Sequence, residues 1–329
     1  MTTDSQLTRE IWVLTDGKAG MVAQAAGLAE RVGAELGLPS REFVLRAGLP
    51  WRFLPAAFWP PGTMGISPRS PQPQPPWPVM TISCGRHGVG PALAIKQRSG
   101  GRTYAVHVQH PRAGLNRFDL IAAPQHDRLD RSNVISTLGA VHRVTPEKLV
   151  RDGAIWAEKL AHLPHPRVAV IVGGANGVYR FGRAEAEALG LLLRRMTEQE
   201  GAGLMVTPSR RTGGEQIEAL AQSLEGTGAY LWDMAGQNPY PGILALADQI
   251  LVTCDSVNMV SEACLTGKPV QVIDLPGSGT GKFDRLHDAL RAARLTRPFR
   301  GALEQWSYEP LDETARVAAR IVAEVGPRL

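Results

Sequence analysis

The chain has 329 residues, of which 43% are hydrophobic and 20% charged, a balance that excludes an intrinsically disordered protein. At about 150 residues per domain, this length predicts two domains. The formal net charge of +5 is unevenly distributed: residues 1–160 carry 19 basic and 12 acidic side chains, whereas residues 161–329 carry 17 and 19. The basic half is therefore expected to meet an anionic partner, either phosphate groups, acidic lipid or nucleic acid.

Cysteine usage and hydropathy narrow the class of protein. Cys84, Cys254 and Cys264 have no CxxC spacing, which argues against a disulfide scaffold and against a zinc site. The first ten residues lack the basic and then apolar regions of a signal peptide, and no run approaches the ~20 apolar residues that span a bilayer. We therefore expect a cytoplasmic protein that associates peripherally with the inner face of the membrane.

The first half alternates short apolar strands with helical stretches. Residues 11–15 form a β-branched apolar run, a glycine-containing turn follows, and helical spacing continues to residue 36. Further strands are predicted at 79–83, 104–108 and 120–122, with a glycine-rich loop at 84–90 and a helix at 91–98. Strand, loop and helix in this order predict the repeating unit of an open α/β sheet.

The same alternation restarts after a pair of prolines. Because Pro164 and Pro166 prevent a continuous helix, we take residues 162–166 as a linker between domains of residues 1–161 and 167–329. The strands that follow are predicted at 167–172, 203–207, 230–232, 249–253 and 269–273. The fold class is therefore α/β, with two Rossmann-like domains facing each other across a cleft and a last helix that packs back on the N-terminal domain.

Residues 50–78 interrupt the pattern, because they contain ten of the 25 prolines and three of the seven tryptophans. This proline density predicts a long loop. The loop either packs on its own domain or forms an interfacial patch, with aromatic rings at the depth of lipid headgroups and arginines on lipid phosphates. The membrane-contact residues of the second interpretation are Trp51, Phe53, Phe58 and Trp59.

Polar residues follow almost every strand, at the edge where open α/β sheets bind ligands. In the first half, the candidates for a catalytic base are Asp16, His110 and the neighbours His126 and Asp127, and the sequence does not choose among them. We expect His107, inside a strand, to be a core histidine. The residues predicted to bind substrate in this half are Lys18, Gln24, Gly85, Arg86 and Arg112.

The second half offers groups that suit a phosphate and a ribose. The Gly173-Gly174 pair either exposes backbone N–H groups to an anion or forms a turn that needs positive φ. A strand ending in Asp255-Ser256 leads into a helix with Glu262 about two turns later, so a diphosphate could lie at the helix N-terminus with its ribose on Glu262. The alternative interpretation has both residues as helix caps and Glu262 as a surface carboxylate. The nucleotide-binding candidates are Gly173, Gly174, Ser209, Arg210, Arg211, Asn238, Asp255, Ser256, Met259 and Glu262.

The chain resembles the bacterial members of the mitochondrial fission Elm family. The matching blocks are residues 12–20 with Gln24, 83–86, 108–112, 118–120, 124–127, 133–134, 173–174, 207–212, 238–240, 247–248 and 253–263. In plants this family is known as a factor that recruits a dynamin-like GTPase to the outer mitochondrial membrane. The second half is also similar to the donor domain of GT-B glycosyltransferases, which implies that Glu262 contacts the nucleotide ribose and that the preceding turn holds the diphosphate.

These observations favour a metal-independent glycosyltransferase with a nucleotide-sugar donor and a lipid-linked or membrane-surface acceptor. The alternative is a non-catalytic adaptor of the Elm type that recruits a partner to membranes. We expect no metal and no cofactor besides the nucleotide-sugar co-substrate, an anionic membrane surface as partner, and no nucleic acid, because the aromatic residues lie among prolines rather than on a basic strand.

Overall fold

The computed structural model describes residues 7–54, 64–277 and 281–329. The chain divides into two compact units, the first formed by residues 1–143 and 312–329 and the second by residues 144–311. Each unit contains a six-stranded sheet in which every described pairing is parallel. Both units are therefore Rossmann-like α/β domains, as the alternation of strands and helices predicts.

The sheet of the first unit has the order β2-β1-β3-β4-β5-β6. Residues of β1 alternate between two cores, since Ile11 and Val13 pack on one face whereas Trp12 and Leu14 pack on the other. The elements are β1 (Thr8–Thr15), α1 (Ala19–Leu36), β2 (Ser40–Val44), β3 (Pro78–Cys84), α2 (Arg86–Arg98), β4 (Tyr104–Val108), β5 (Leu120–Pro124) and β6 (Val134–Thr137).

The sheet of the second unit has the order β12-β11-β10-β7-β8-β9. Its central strands are buried along almost their whole length, which is why they read as continuous apolar runs. The elements are α3 (Pro146–Ala157), β7 (Arg167–Val172), α4 (Arg183–Glu200), β8 (Gly203–Pro208), α5 (Gly214–Leu224), β9 (Tyr230–Leu231), α6 (Tyr240–Leu246), β10 (Gln249–Thr253), α7 (Val257–Cys264), β11 (Val270–Ile273), α8 (Gly281–Ala292) and β12 (Thr296–Pro298).

The last helix, α9 (Glu313–Val325), belongs to the first unit. Val317, Ala318, Ile321 and Val325 are buried in the same core as residues of α1 and β1. The Glu313 carboxylate also accepts a hydrogen bond from the Leu138 backbone N–H at 2.6 Å. The first sheet is therefore covered by a helix from the opposite end of the chain.

The boundary between the units lies at residues 143 and 144, ahead of the linker that the prolines suggest. Helix α3 packs within the second unit, where the buried Trp156 places its ring 6.1 Å from that of Tyr230. The segment 162–166 is tied into the second sheet as well, because the Gly203 N–H donates to the Pro166 carbonyl oxygen at 3.0 Å. Its prolines lie between α3 and β7, inside the second unit, and do not separate domains.

Helix α2 begins at Arg86 and not at residue 91, so the second half of the predicted glycine-rich loop is helical. Only Gly85, with φ of 79°, has the backbone conformation of a turn glycine. Gly88 lies inside the helix, where a Cβ would come within 2.6 Å of the Leu14 carbonyl oxygen. Gly88 therefore lets α2 approach β1 closely. In the sequence, a glycine needed for such packing looks the same as a glycine in a loop.

Candidate functional site

Three loops meet at the carboxyl edge of the second sheet. Strand β7 lies between β10 and β8, so the chain crosses to the other side of β7 after β9. This strand order is that of a dinucleotide-binding Rossmann sheet, whose ligands bind where the order reverses. The loops after β7, β8 and β10 begin at Gly173, Ser209 and Cys254.

Asp255 holds these loops together through a carboxylate that is fully buried. Its oxygens accept hydrogen bonds from Thr253 Oγ1 at 2.6 Å and from the Gly174 backbone N–H at 3.0 Å. The Arg211 guanidinium completes the arrangement with an Nη2 to Oδ2 distance of 2.6 Å. Asp255, expected from the sequence to contact a nucleotide, thus organises the loops that form the site.

The paired glycines have a packing role. A Cβ on Gly173 would lie 2.2 Å from both carboxylate oxygens of Asp255, and one on Gly174 would lie 2.1 Å from the Arg211 carbonyl oxygen. Their backbone N–H groups donate to Thr253 Oγ1, at 2.8 Å, and to Asp255. Neither glycine has a positive φ, and both amides have acceptors within the protein, so close packing of the loops accounts for glycine at these positions.

The two arginines after β8 differ in their surroundings. Arg211 donates from Nη1 to the Gly174 carbonyl oxygen at 3.0 Å, in addition to its ion pair with Asp255. Arg210 is exposed and, within the described part of the chain, forms no ion pair. Arg210 is therefore the guanidinium available for an anionic ligand.

A cavity of about 480 Å³ opens beside Arg210, a size typical of small-molecule sites. It is a feature of the second unit alone. Polar and aromatic groups from four loops and helices contribute to its wall, among them Ser209, Arg210, Trp232, Tyr240, Met259 and Glu262. Five of the ten nucleotide-binding candidates therefore lie on one cavity, namely Ser209, Arg210, Asn238, Met259 and Glu262.

Glu262 is the acidic group on this cavity wall, and 9% of the residue is exposed. It lies in α7 and accepts a hydrogen bond from the Tyr240 hydroxyl at 2.6 Å. Burial raises the pKa of Glu262 to about 7, although the bond from Tyr240 acts in the opposite direction. Burial next to this carboxyl group likewise raises the pKa of Tyr240 well above its usual range. A carboxyl group kept near its ionisation point in a cavity is typical of a functional site.

Tyr240 lies in the block 238–240 that the sequence places at the ligand edge, but the sequence alone assigns it no role in binding. It begins helix α6, and its backbone N–H donates to Asn238 Oδ1 at 3.0 Å, so Asn238 caps the turn. The spacing between Tyr240 and Glu262 along the chain gives no sign of contact. The available signal was the position of the Asn-Pro-Tyr sequence ahead of a helix at the ligand edge.

Ser256 is the N-cap of helix α7, and its hydroxyl accepts a hydrogen bond from the Met259 backbone N–H at 3.4 Å. The first turn of the helix carries no acidic residue. No carboxylate in this turn therefore neutralises the positive end of the helix dipole. Ser256 thus has the N-cap role that its position ahead of the helix predicts, beside the loop that Asp255 organises.

The candidates of the first unit gather at the carboxyl edge of their own sheet. The Asp16 side chain is largely buried and forms an ion pair with Lys18 Nζ at 3.0 Å. A Cβ on Gly85 would lie 3.8 Å from Asp16 Cγ, which places the ends of β1 and β3 side by side. Gln24 is buried, and its Oε1 accepts a hydrogen bond from Gln109 Nε2 at 3.0 Å. Gln24 thus ties α1 to the turn after β4.

The histidines occupy different environments. His110 is half-buried, and its Nδ1 accepts a hydrogen bond from the Arg112 backbone N–H at 2.9 Å. His126 is buried, with Asp127 beside it in a short 3₁₀ turn after β5. His107 is also buried, with Nδ1 2.8 Å from Ser83 Oγ, and burial lowers its pKa to about 3. It is a neutral core histidine at physiological pH.

The remaining candidates lie around the proline-rich loop. Arg86 donates from Nη1 to the Leu54 carbonyl oxygen at 3.3 Å. Trp51 is half-buried and Phe53 is 73% exposed. Phe58 and Trp59 lie outside the described residues. Across the ranges that the structure describes, no three His, Cys, Asp or Glu side chains group as a metal site, and no helix is long and apolar enough to cross a membrane.

Comparison with known proteins identifies relatives along almost the whole chain. A sequence model of the family described as Mitochondrial fission ELM1 matches residues 19–325. The mitochondrial fission protein ELM1 of Arabidopsis thaliana is 32% identical over 278 residues, which cover 76% of this chain. The match spans 65% of the length of the plant protein.

Solved structures share the fold at low sequence identity. A protein of Listeria monocytogenes described as a candidate UDP-N-acetylglucosamine 2-epimerase has a TM-score of 0.58 and 12% identity, with 98% of this chain and 97% of that one covered. The UDP-GlcNAc 2-epimerase of Neisseria meningitidis bound to UDP-GlcNAc has a TM-score of 0.52 and 10% identity, with 96% and 100% covered. The GT-B-like fold of two Rossmann-like domains is confirmed.

Proposed function

This chain belongs to the mitochondrial fission ELM1 family, and we propose that it is a metal-independent glycosyltransferase that uses a nucleotide-activated sugar. One observation carries the proposal: Glu262, Trp232 and Arg210 line the same cavity at the carboxyl edge of the second sheet. A buried acceptor, an aromatic residue and an unpaired cation are the groups that a nucleotide needs at its ribose, base and phosphate.

The ribose is assigned to Glu262. Ionised, this side chain only accepts hydrogen bonds, and a ribose diol presents two donors. The Tyr240 hydroxyl already holds one carboxylate oxygen at 2.6 Å, which orients the group without a ligand. Because the site is largely shielded from water, hydrogen bonds to the carboxylate contribute more there than they would on the surface.

The phosphates are assigned to Arg210 and to the N-terminus of α7. The guanidinium offers a planar set of donors that matches phosphate oxygens, and the helix dipole favours negative charge at the same edge. Together they supply positive charge that stabilises the leaving diphosphate. In the proposed mechanism these groups do what a metal ion would otherwise do, which is why we call it metal-independent. Trp232, also on the cavity wall, offers a face for the nucleobase.

The acceptor is assigned to the first unit, as a lipid-linked or membrane-surface hydroxyl compound. The base that takes its proton is Asp16, His110 or Asp127 with His126, all of which lie after strands of the first sheet. Of these, the Asp16 carboxylate already has a cation partner, since Lys18 Nζ lies 3.0 Å from its Oδ2. The UDP-GlcNAc bound to the Neisseria neighbour supports a nucleotide-sugar donor for this fold.

Thermal-shift titration with UDP, GDP, CMP and the corresponding nucleotide sugars tests donor binding. We expect at least one of them to raise the melting temperature, and Arg210→Ala to weaken that ligand by about tenfold or more, since a charge-assisted bond is worth about 1.5–3 kcal/mol. Arg195→Ala, at an exposed arginine of α4, is the matched control and should bind as wild type.

Two results would contradict the proposal. The first is a wild-type protein that none of these nucleotides stabilises. The second is a chain that changes the sugar configuration of its nucleotide sugar without transferring the sugar, as expected of an epimerase. Detection of free nucleotide together with a glycosylated acceptor would show sugar transfer and would exclude both of these results.

The family name favours a second candidate, a non-catalytic adaptor that recruits a partner to membranes. An adaptor should keep its biological activity when Arg210 or Glu262 is replaced. Complementation of a deletion strain with Arg210→Ala therefore separates the two functions, because the transferase predicts loss of activity and the adaptor predicts its retention.

A further inference from the structure

The second unit has another cavity, next to the one proposed for the nucleotide. Its volume is about 440 Å³, which is typical of small-molecule sites. The two cavities share Trp232 and Gly236 on their walls, and none of the residues that the sequence predicts for catalysis or binding lines this second cavity. Its wall combines aromatic rings with hydrogen-bonding side chains, among them Trp156, Lys159, Tyr230, Trp232, Asp233 and Gln237.

Lys159 brings a positive charge to this cavity. It follows α3 in the chain, and its Nζ lies 4.6 Å from the centre of the Trp156 ring and 5.6 Å from that of the Tyr230 ring. Attraction between an ammonium group and aromatic faces holds the cation there. With the residues that the structure describes, Lys159 Nζ forms neither an ion pair nor a hydrogen bond. The ammonium group is therefore positioned by the rings and keeps its N–H donors for a ligand.

Hydrogen bonds within the loop after β9 fix the other side of the cavity. The Trp232 indole Nε1 donates to the Ala235 carbonyl oxygen at 2.8 Å, and the Ala235 backbone N–H donates to Asp233 Oδ1 at 2.9 Å. The Trp232 backbone N–H also donates to the Val206 carbonyl oxygen at 3.0 Å, which ties the loop to β8. The Trp232 ring and the Asp233 carboxylate are thus oriented before any ligand binds, which reduces the entropy that binding costs.

The groups on this wall suit a hydroxylated ring. Tyr230 and Trp232 are half-buried, so part of each aromatic ring is accessible to a ligand in the cavity. An aromatic ring buries the apolar C–H face of a pyranose, while a few polar side chains fix its orientation. The Asp233 carboxylate accepts hydrogen bonds from hydroxyl groups, and the Gln237 amide both accepts and donates.

The charges on the wall limit the charge of the ligand. Among the described residues that line this cavity, Lys159 is the one cation and Asp233 the one anion. A neutral sugar leaves the ammonium group without an anionic partner, and the several charges of a diphosphate exceed what one lysine compensates. A single carboxylate matches Lys159 in a charge-assisted hydrogen bond.

We propose that this cavity binds an acidic sugar, a pyranose with one carboxylate group. Lys159 holds the carboxylate, Tyr230 and Trp232 pack on the apolar face of the ring, and Asp233 and Gln237 bind its hydroxyl groups. The inference goes beyond the proposed function, because it adds a second ligand that binds in the absence of a nucleotide.

Ligand-observed NMR with the full chain and no nucleotide tests this inference. The probes are the methyl glycosides of glucuronic, galacturonic and mannuronic acid, together with those of their neutral partners glucose, galactose and mannose. We expect at least one acidic sugar to bind about tenfold more tightly than its neutral partner, the factor typical of a charge-assisted hydrogen bond. Lys159→Gln should remove this preference, whereas Lys159→Arg, which keeps the charge and stacks on aromatic rings, should retain it.

Two further variants locate the bound sugar. Tyr230→Leu removes one ring of the wall and should weaken the acidic and the neutral sugar alike. Lys148→Gln, in the first turn of α3 and outside the cavity wall, is the matched control and should bind as wild type. The melting temperature of each variant is measured in parallel, and Lys159→Gln should melt as wild type because Lys159 is exposed.

The inference is overturned if no acidic sugar binds, or if each binds only as well as its neutral partner. It is also overturned if Lys159→Gln keeps the preference for the acidic sugar. Nucleotide titration of the same variants is a separate measurement, so a failure of the proposed donor binding is distinguished from a failure of this site.

Discussion

Two opposing effects set the pKa of the Glu262 carboxyl group. Burial favours its neutral form, whereas the hydrogen bond from the Tyr240 hydroxyl favours the carboxylate. The result is a pKa of about 7, so this side chain changes charge within the physiological range. If the carboxylate accepts the ribose hydroxyls, ligand affinity must follow its ionisation.

We predict that nucleotide affinity increases between pH 6 and pH 8, because a larger fraction of Glu262 is then ionised. Tyr240→Phe removes a bond that lowers the pKa of Glu262, so the rise in affinity should move to higher pH. Isothermal titration calorimetry across this range measures both curves. Tyr104→Phe, which removes a 2.6 Å bond to Glu324 in the first unit, is the control. Equal curves for wild type and Tyr240→Phe would show that Tyr240 does not position Glu262.

The raised pKa of Glu262 should also lower the free energy of unfolding as the pH rises to neutral. The pKa of Glu262 is raised on folding, so the native state binds more protons than the unfolded state between about pH 4.5 and 7. Its contribution to stability therefore falls as pH rises through that window. We predict that Glu262→Gln increases the free energy of unfolding by about 1–3 kcal/mol above pH 7, with little effect near pH 4. Urea unfolding at both pH values gives the difference, and a variant that is destabilised at both would contradict it.

At the scale of elements, the carboxyl edge of the second sheet is organised by close packing between loops. The Asp255 carboxylate lies against the backbone of the β7 loop, and Arg211 bridges the β8 loop to both. A buried carboxylate with three donors leaves no room for a side chain at Gly173. The glycine is therefore required by neighbouring elements and not by its own backbone conformation.

We predict that Gly173→Ala lowers the free energy of unfolding by about 1–3 kcal/mol, because its Cβ would lie 2.2 Å from the Asp255 oxygens. Gly177→Ala in the same loop is the control, since a Cβ there meets no atom within 4 Å, and its effect should stay within about 0.5 kcal/mol. Chemical denaturation measures both. Similar losses of unfolding free energy in the two variants would mean that loop flexibility, rather than the contact with Asp255, explains why residue 173 is glycine.

At the scale of the whole molecule, the first unit is completed by the C-terminal helix. Val317, Ile321 and Val325 of α9 are nearly inaccessible to solvent and contribute to the core beneath α1. Burial of three such side chains stabilises the unit by about 5 kcal/mol, a large part of the stability of a domain this size. The second unit, in contrast, is continuous in sequence.

We predict that deletion of residues 312–329 destabilises the first unit selectively. Calorimetry should show an early transition for that unit, and nucleotide binding by the second unit should persist. Deletion of residues 326–329, which retains α9, is the control and should leave the first transition within a few degrees of wild type. A single shared transition for the truncated chain would show that the units fold as one.

Much of the fold and of the candidate site could be predicted from local sequence. Strands such as 167–172 and 249–253 match the structure, because apolar β-branched runs between helical stretches have few alternatives. Ser209, Arg210, Asn238, Met259 and Glu262 were recognised because parallel strands bring the residues that follow them to one edge. Prediction failed where a residue type has several uses, as with Gly88 in α2 and Pro166 in the second sheet.

The sequence by itself determined the α/β class, the family and the edge at which polar groups collect, since these depend on periodicity and on order along the chain. The tertiary structure decided which of those groups are available to a ligand. Arg210 and Arg211 are adjacent and identical in type, yet Arg211 forms an ion pair with Asp255, whereas Arg210 forms none with any residue that the structure describes. It also decided that Tyr240 meets Glu262 and that α9 completes the first core. Contacts between residues far apart in the chain depend on packing, which local sequence does not encode.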